Sequence, residues 1–249
     1  ERTGSLEDLA PGEQIYSARF MGKKGYLVTF KKIDPLFVID LSDHSNPRVL
    51  GKLKIPGYSD YLHPFDETHI IGVGKHTIEA AEGDFAWYQG VKLAVFDVSD
   101  VENPKEMHQI IIGDRGTDSI ALQDHKAFLF DREKELLILP ITLAEIPEEI
   151  KESDVEQGNW PQYGEFTFQG AYVYNLSLAN GFELKGRITH DETGEDILKS
   201  GYYYQSDNQV KRSLYIGNVL YTISNTKILL NDLFDLSELN QIELVPETA

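Results

Sequence analysis

The run Phe37-Val38-Ile39-Asp40-Leu41-Ser42-Asp43, with Asn46-Pro47 behind it, returns 57 positions later as Ala94-Val95-Phe96-Asp97-Val98-Ser99-Asp100, with Asn103-Pro104 behind it. Each copy is an apolar stretch that stops at an aspartate and enters a turn, where Asp and Asn side chains bond to the backbone. Working outward, each copy is the third of four short runs: a half-buried run, a tight turn, a second run, a connection, the apolar run and a fourth. The first unit holds runs at 16–21, 26–30, 36–41 and 49–55, and the second at 59–63, 69–73, 91–98 and 105–112. The same order fits 125–130, 136–142, 171–176 and 182–189, and again 212–216, 219–224, 227–233 and 239–245.

These runs are rich in Val, Ile, Tyr and Phe and are punctuated by Gly22, Gly25, Gly217 and Asn218, which is strand and turn chemistry. The stretch 143–153 alone reads as helix. A four-strand unit repeated at a period of several tens of residues predicts an all-β fold, a β-propeller of four-stranded antiparallel blades, with each third strand buried on both faces. A β-sandwich of about sixteen strands is the rival, and it leaves the repeated turn chemistry unexplained. The expected divisions are an outer strand of a preceding blade at 1–12, blades at 13–56, 57–115 and 116–190, and a long loop with the last blade at 191–249. Together they make four complete blades plus a leftover strand, as a single domain or the C-terminal part of a larger one.

The chain has 249 residues, 41 acidic against 23 basic, for a formal charge of −18, and no cysteine. Phosphate affinity comes from clustered Lys and Arg, so this balance argues against nucleic acid and against an anionic membrane surface. It suits a cation or a basic partner better. Without cysteine there are no disulfides, thiolate zinc sites or thiol nucleophiles. The apolar stretch 136–143 is far short of the roughly 20 residues of a membrane helix, so no membrane insertion is expected. Residues 1–5 lack the basic and apolar regions of a signal peptide, and a start at Glu1 reads as a processed or excised chain.

The strings at 10–22 (Ala10-Pro11-Gly12-Glu13-Gln14-Ile15-Tyr16 and onward) and 34–43 (Asp34-Pro35-Leu36-Phe37 and onward) resemble the secreted β-propeller family of archaea and bacteria, distantly related to WD40 repeats. So do Asp60-Tyr61-Leu62-His63-Pro64, Asp124-His125-Lys126-Ala127-Phe128-Leu129-Phe130 and Arg212-Ser213-Leu214-Tyr215-Ile216-Gly217, so the resemblance spans almost the whole chain. It implies an extracellular or cell-surface propeller of which this chain is the C-terminal part, and it carries no catalytic residue. The run at 95–100 also resembles the extracellular propeller repeats named for their Leu-Val-Ile-Val-Asp core, whose usual reading is scaffolding or adhesion.

Three connections, 75–90, 144–169 and 190–210, are long and expected on one face, where binding usually resides. They carry many carboxylates together with Trp87, Tyr88, Trp160, Tyr163 and Tyr203. Rings beside acceptor carboxylates suit a sugar, a basic peptide or a cation, and they equally suit loops pinned down by aromatics with a solvated acidic face. Blade alignment places Arg19, Asp60, Asp124, His125 and Arg212 at one rim of the inner strands, as an anion-binding or catalytic cluster or as ion pairs between blades. The histidines show no HExxH spacing, and no metal site is assigned; calcium would suit the carboxylates better than zinc, without an EF-hand pattern.

The leading expectation is a non-enzymatic binding or scaffold module for a protein or carbohydrate ligand, acting through the acidic, aromatic loop face. The alternative is a hydrolase or lyase working on polysaccharide or peptide at the channel mouth, with Asp60, Asp124 and His125 as acid–base candidates. A third reading makes the partner the N-terminal blades of the same propeller, or another copy of the chain.

Overall fold

The computed structural model describes residues 2–30, 34–79, 86–150, 162–201 and 203–244. Among these residues are sixteen strands in four separate four-stranded sheets, each an antiparallel meander. They fall into two compact units, 1–112 and 113–249.

In the first unit, β1 (Gln14–Met21), β2 (Lys24–Phe30), β3 (Asp34–Asp40) and β4 (Arg48–Ile55) form one sheet. The second holds β5 (Tyr58–Pro64), β6 (His69–Glu79), β7 (Ala86–Asp97) and β8 (Lys105–Ile112). Alternation in β2 and β3 turns Tyr26, Val28, Phe30, Leu36 and Val38 toward the second sheet. There they share a core with Leu62, Ile70, Ala94 and Phe96. The first strands of the two sheets lie side by side, with Ser17 Oγ donating to the Ser59 carbonyl at 2.6 Å. The repeated Asp turns form as read: the carboxylates of Asp40 and Asp97 each accept the N–H two residues on, from Ser42 and Ser99, both at 2.9 Å.

The second unit is built the same way from β9 (Leu129–Asp131), β10 (Leu136–Glu145), β11 (Glu165–Ser177) and β12 (Gly181–Ile188). β13 (Arg212–Ile216), β14 (Val219–Ile223), β15 (Lys227–Asp232) and β16 (Glu238–Glu243) complete it. Leu136, Ile138, Ala171, Val173, Leu220 and Leu229 form its core. The turn after β13 opens on Gly217 at φ +61°, a backbone conformation that tight hairpins require at their first central position. The short helix α1 (Glu195–Lys199) lies between the two sheets in sequence.

Three expectations change, at 125–130, in the long connections and at 143–153. Residues 2–12, read as the outer strand of a preceding blade, pair with none of the four sheets. They run along the first sheet instead, where Leu6 and Leu9 with Phe37, Val49 and Gly51 border a cleft of about 480 Å3. The predicted strand at 125–130 is a single 3-10 turn at His125–Ala127, followed by a strand of three residues. Asp124 caps that turn by accepting Lys126 N–H at 3.0 Å, a local bond that competes with sheet pairing. Strand extends into two of the long connections, since β6 and β7 stay paired out to Glu79 and Ala86, and β10 and β11 out to Glu145 and Glu165. Accordingly Leu143, Ala144 and Glu145 are strand, and helix is confined to 148–150 among the described part of 143–153.

Candidate functional site

Extension of β6 and β7 beyond the sheet has a consequence for the aromatic residues. Trp87 pairs with Ile78, and Tyr88 pairs with Thr77 on the ribbon. Tyr88 is thereby carried over the starts of β1 and β5 and the end of β2, where Tyr16, Tyr58 and Phe30 converge. Ring centroids are 4.6 Å apart for Tyr16 and Tyr58, 4.8 Å for Phe30 and Tyr58, 5.4 Å for Tyr58 and Tyr88, and 5.5 Å for Tyr16 and Phe30. These separations and tilts are those of favourable aromatic packing. Phe30 and Tyr58 are buried beneath, Tyr88 is 45% exposed, and the Tyr16 and Tyr88 hydroxyls are 3.3 Å apart. The result is a platform with apolar ring area below and two phenols at its surface.

A bulge builds this site. Register slips between Ile15 and Ser17 in β1, leaving Tyr16 as the extra residue, and between Ser59 and Tyr61 in β5, leaving Asp60 in the equivalent place. A bulge re-aims a side chain that regular alternation would send to one fixed face. Tyr16 is used for the platform. Asp60 lies half-buried at the matching position and holds a polar interaction of its own.

Further along the same strands, Arg19 meets Tyr61 and His63. Tyr61 Oη and His63 Nδ1 are 2.8 Å apart, and burial followed by the nearby Arg19 guanidinium drops the His63 pKa to about 4. The Nε of Arg19 is shielded from solvent with no acceptor among the described residues. In the second unit His190 is buried with Nε2 2.9 Å from Thr222 Oγ1, and burial followed by Lys227 lowers it to about 4 as well. A histidine kept neutral when folded but titrating near 6.5 when unfolded binds fewer protons in the native state between those values. Its contribution is therefore complete above pH 6.5 and lost as pH falls toward 4. We expect the melting temperature to fall steadily between pH 6.5 and 4, and Arg19→Met to raise the His63 pKa in an NMR titration. A flat melting profile over that window would contradict this reading.

The remaining candidates do not converge on one constellation. Asp124 accepts from Lys126 N–H and pairs with the Arg212 guanidinium, and these bonds hold its carboxyl below the usual range, so it is a poor proton donor at neutral pH. That pair ties the 3-10 turn ahead of β9 to the start of β13, which assigns Arg212 a structural contact. His125 sits in the turn that Asp124 caps. Tyr163 has Arg115 4.2 Å from its ring centroid and is 67% exposed, while Tyr203 is 87% exposed. Trp160 lies outside the described residues. Among the described residues no group of three or more histidine or carboxylate side chains is placed to hold a metal, and no helix is long and apolar enough to cross a membrane. Of the platform residues, Tyr16 and Phe30 were legible only as strand positions, and Tyr58 fell one residue outside the predicted run at 59–63; the one sequence signal was the adjacent apolar pair Ile15-Tyr16, which breaks alternation.

A fold of repeated four-stranded antiparallel sheets defines a propeller-type scaffold. The beta propeller domain family model matches residues 1–236, and the chain belongs to that family. An uncharacterized protein of Methanocaldococcus jannaschii is 34% identical over 229 residues, 92% of this chain and 28% of that protein. An uncharacterized protein of Archaeoglobus fulgidus is 41% identical over 140 residues, 56% of this chain and 20% of that protein. The chain thus spans about a quarter or less of the length of these relatives. Among solved structures, a Lactobacillus plantarum protein is similar with a TM-score of 0.49 at 9% identity, covering 95% of this chain and 57% of the other. A Synechocystis apocarotenoid oxygenase is similar with a TM-score of 0.42 at 11% identity, covering 96% and 52%.

Proposed function

We propose that this chain is a ligand-binding module of an exported, cell-surface propeller protein, and that it acts through the Tyr16–Tyr88 platform. The observation that carries the reading is the platform itself: four rings held by strands from two sheets, with Tyr88 half-exposed and two phenol hydroxyls 3.3 Å apart at the surface. Rigid rings with polar tips contact the apolar face of a sugar or a peptide side chain at little entropic cost. The secreted, archaeal or bacterial setting and the position at the C-terminal end of a longer polypeptide belong to the same proposal. Membership of a longer polypeptide is supported by the two relatives, both much longer than the matched stretch. A catalytic reading has less support, since Asp124 is held ionised by its partners.

Screening the chain against glycan and peptide arrays should give a ligand whose affinity drops at least tenfold in Tyr88→Ala, with the melting temperature changed by only a few degrees. Tyr16→Phe should cost less, removing one hydroxyl and keeping the ring. A ligand that binds Tyr88→Ala and wild type alike would exclude the platform as its site.

A further inference from the structure

The hairpins of the second unit enclose a cleft of about 310 Å3 at the end opposite its long connections. Lys134, Asn175, Lys185, Asn218, Asp232 and Phe234 border it. Its chemistry departs from that of the chain. In a molecule of formal charge −18 the cleft presents two ammonium groups against one carboxylate. That carboxylate is engaged in its own turn, accepting Phe234 N–H at 2.7 Å and Asp235 N–H at 3.3 Å. Lys185 Nζ donates to the Leu233 carbonyl at 2.7 Å, which fixes it at the cleft while leaving further donors. Lys134 Nζ stands 5.3 Å from the Tyr215 ring centroid. Asp131 and Asp235 lie in the fields of Lys134 and Lys185 but are bonded to the Tyr215 hydroxyl and the Ser237 N–H, at no ion-pair distance from either lysine among the described residues. Phe234, at the tip of the β15–β16 turn and 86% exposed, lies 5.9 Å from Lys185 Nζ. A large ring left in water at a turn tip gains from any flat apolar surface laid on it.

We propose that this cleft is a second binding site, distinct from the aromatic platform, and that it takes a carboxylate carried on a small ring with an apolar face, the chemistry of a hexuronic acid. The carboxylate would sit between Lys134 and Lys185, the ring face against Phe234, and the hydroxyls toward Asn175 and Asn218. The volume is at the lower end of known ligand pockets, about 300–1,000 Å3, and matches one ring rather than a chain. A free acid and the terminal residue of an acidic glycan share this chemistry.

The test is calorimetric and NMR titration of the 249-residue chain at low salt with glucuronate, glucose, acetate and a glucuronate-terminated oligosaccharide. The expected result is saturable glucuronate binding, no glucose binding and weaker acetate binding. Lys134→Gln/Lys185→Gln should lose at least tenfold and Phe234→Ala several-fold, the latter changing an exposed side chain only. Tighter binding of the oligosaccharide would assign the site to glycan ends, and equal binding to the free acid. Absence of glucuronate binding to the wild type would overturn the proposal, as would unchanged affinity in a double variant that melts like wild type. Loss of platform binding in Tyr88→Ala would leave this titration unaffected, so the two sites fail independently.

Discussion

Gly74→Ala is expected to unfold the first unit under conditions where the wild type is stable, costing about 3 kcal/mol or more. Gly74 sits in β6 opposite Ser59, one residue beyond the β5 bulge. A Cβ there would stand 1.7 Å from the Tyr58 carbonyl oxygen, 2.6 Å from its carbon and 2.7 Å from Ser59 Cα. All three are backbone atoms, so no rotamer change relieves the clash and β5 itself must move. That movement would pull Tyr58 out of the platform and separate Ser59 from Ser17. Gly201→Ala is the control, because nothing lies within 4 Å of its Cβ position. Urea unfolding should show a large fall in midpoint for the first variant and almost none for the second. A midpoint for Gly74→Ala close to wild type would mean that the two strands are not packed this closely.

Lys92→Met should cost about 3 kcal/mol by leaving the shielded Oε2 of the partly buried Glu106 without its cation. Lys92 is 4% exposed in the middle of β7, its ammonium 2.7 Å from Glu106 Oε2 and donating to the Pro56 carbonyl at 3.0 Å. The Glu106 contact has the distance of an ion pair without hydrogen-bond alignment, since that oxygen has no hydrogen-bond partner. His76 beside it is kept neutral chiefly by burial and then by the Lys92 charge. Methionine keeps the apolar stem and removes the charge together with the bond to the Pro56 carbonyl, so the loss measures the stranded carboxylate and the freed carbonyl rather than a cavity. The double variant Lys92→Met/Glu106→Met should recover most of the stability, because the pair's attraction offsets rather than exceeds the cost of taking both charges out of water. A double variant as unstable as the single one would show instead that the ion pair is a net stabiliser.

Lys92 also marks where reading the sequence reached its limit. A lysine in the apolar run Val91-Lys92-Leu93-Ala94-Val95-Phe96 looks like a strand end facing water, yet it lies deep because β7 begins five residues earlier, at Ala86. The same extension moved Trp87 and Tyr88 from an expected loop onto a ribbon. Strand ends are set by how far two strands find each other's edges, which local composition does not encode. The Asp-x-Ser-Asp turns were legible because the side chain bonds the backbone two residues away, within the same few residues.

The repeat at 57 positions, the alternation of apolar residues and the turn chemistry were enough to define four antiparallel sheets of four strands. Alternation and turn chemistry are short-range properties, set by periods of two and by residues adjacent in the chain, and the repeat is legible because each copy spells out the same local pattern. Tertiary structure alone decided which polar and aromatic side chains meet. The platform joins Tyr16, Phe30, Tyr58 and Tyr88, and the basic cleft joins Lys134, Lys185 and Phe234. Such meetings depend on bulges that shift register by one residue and on the packing of one sheet against the next, both of which bring together positions tens of residues apart that carry no mutual mark in the sequence.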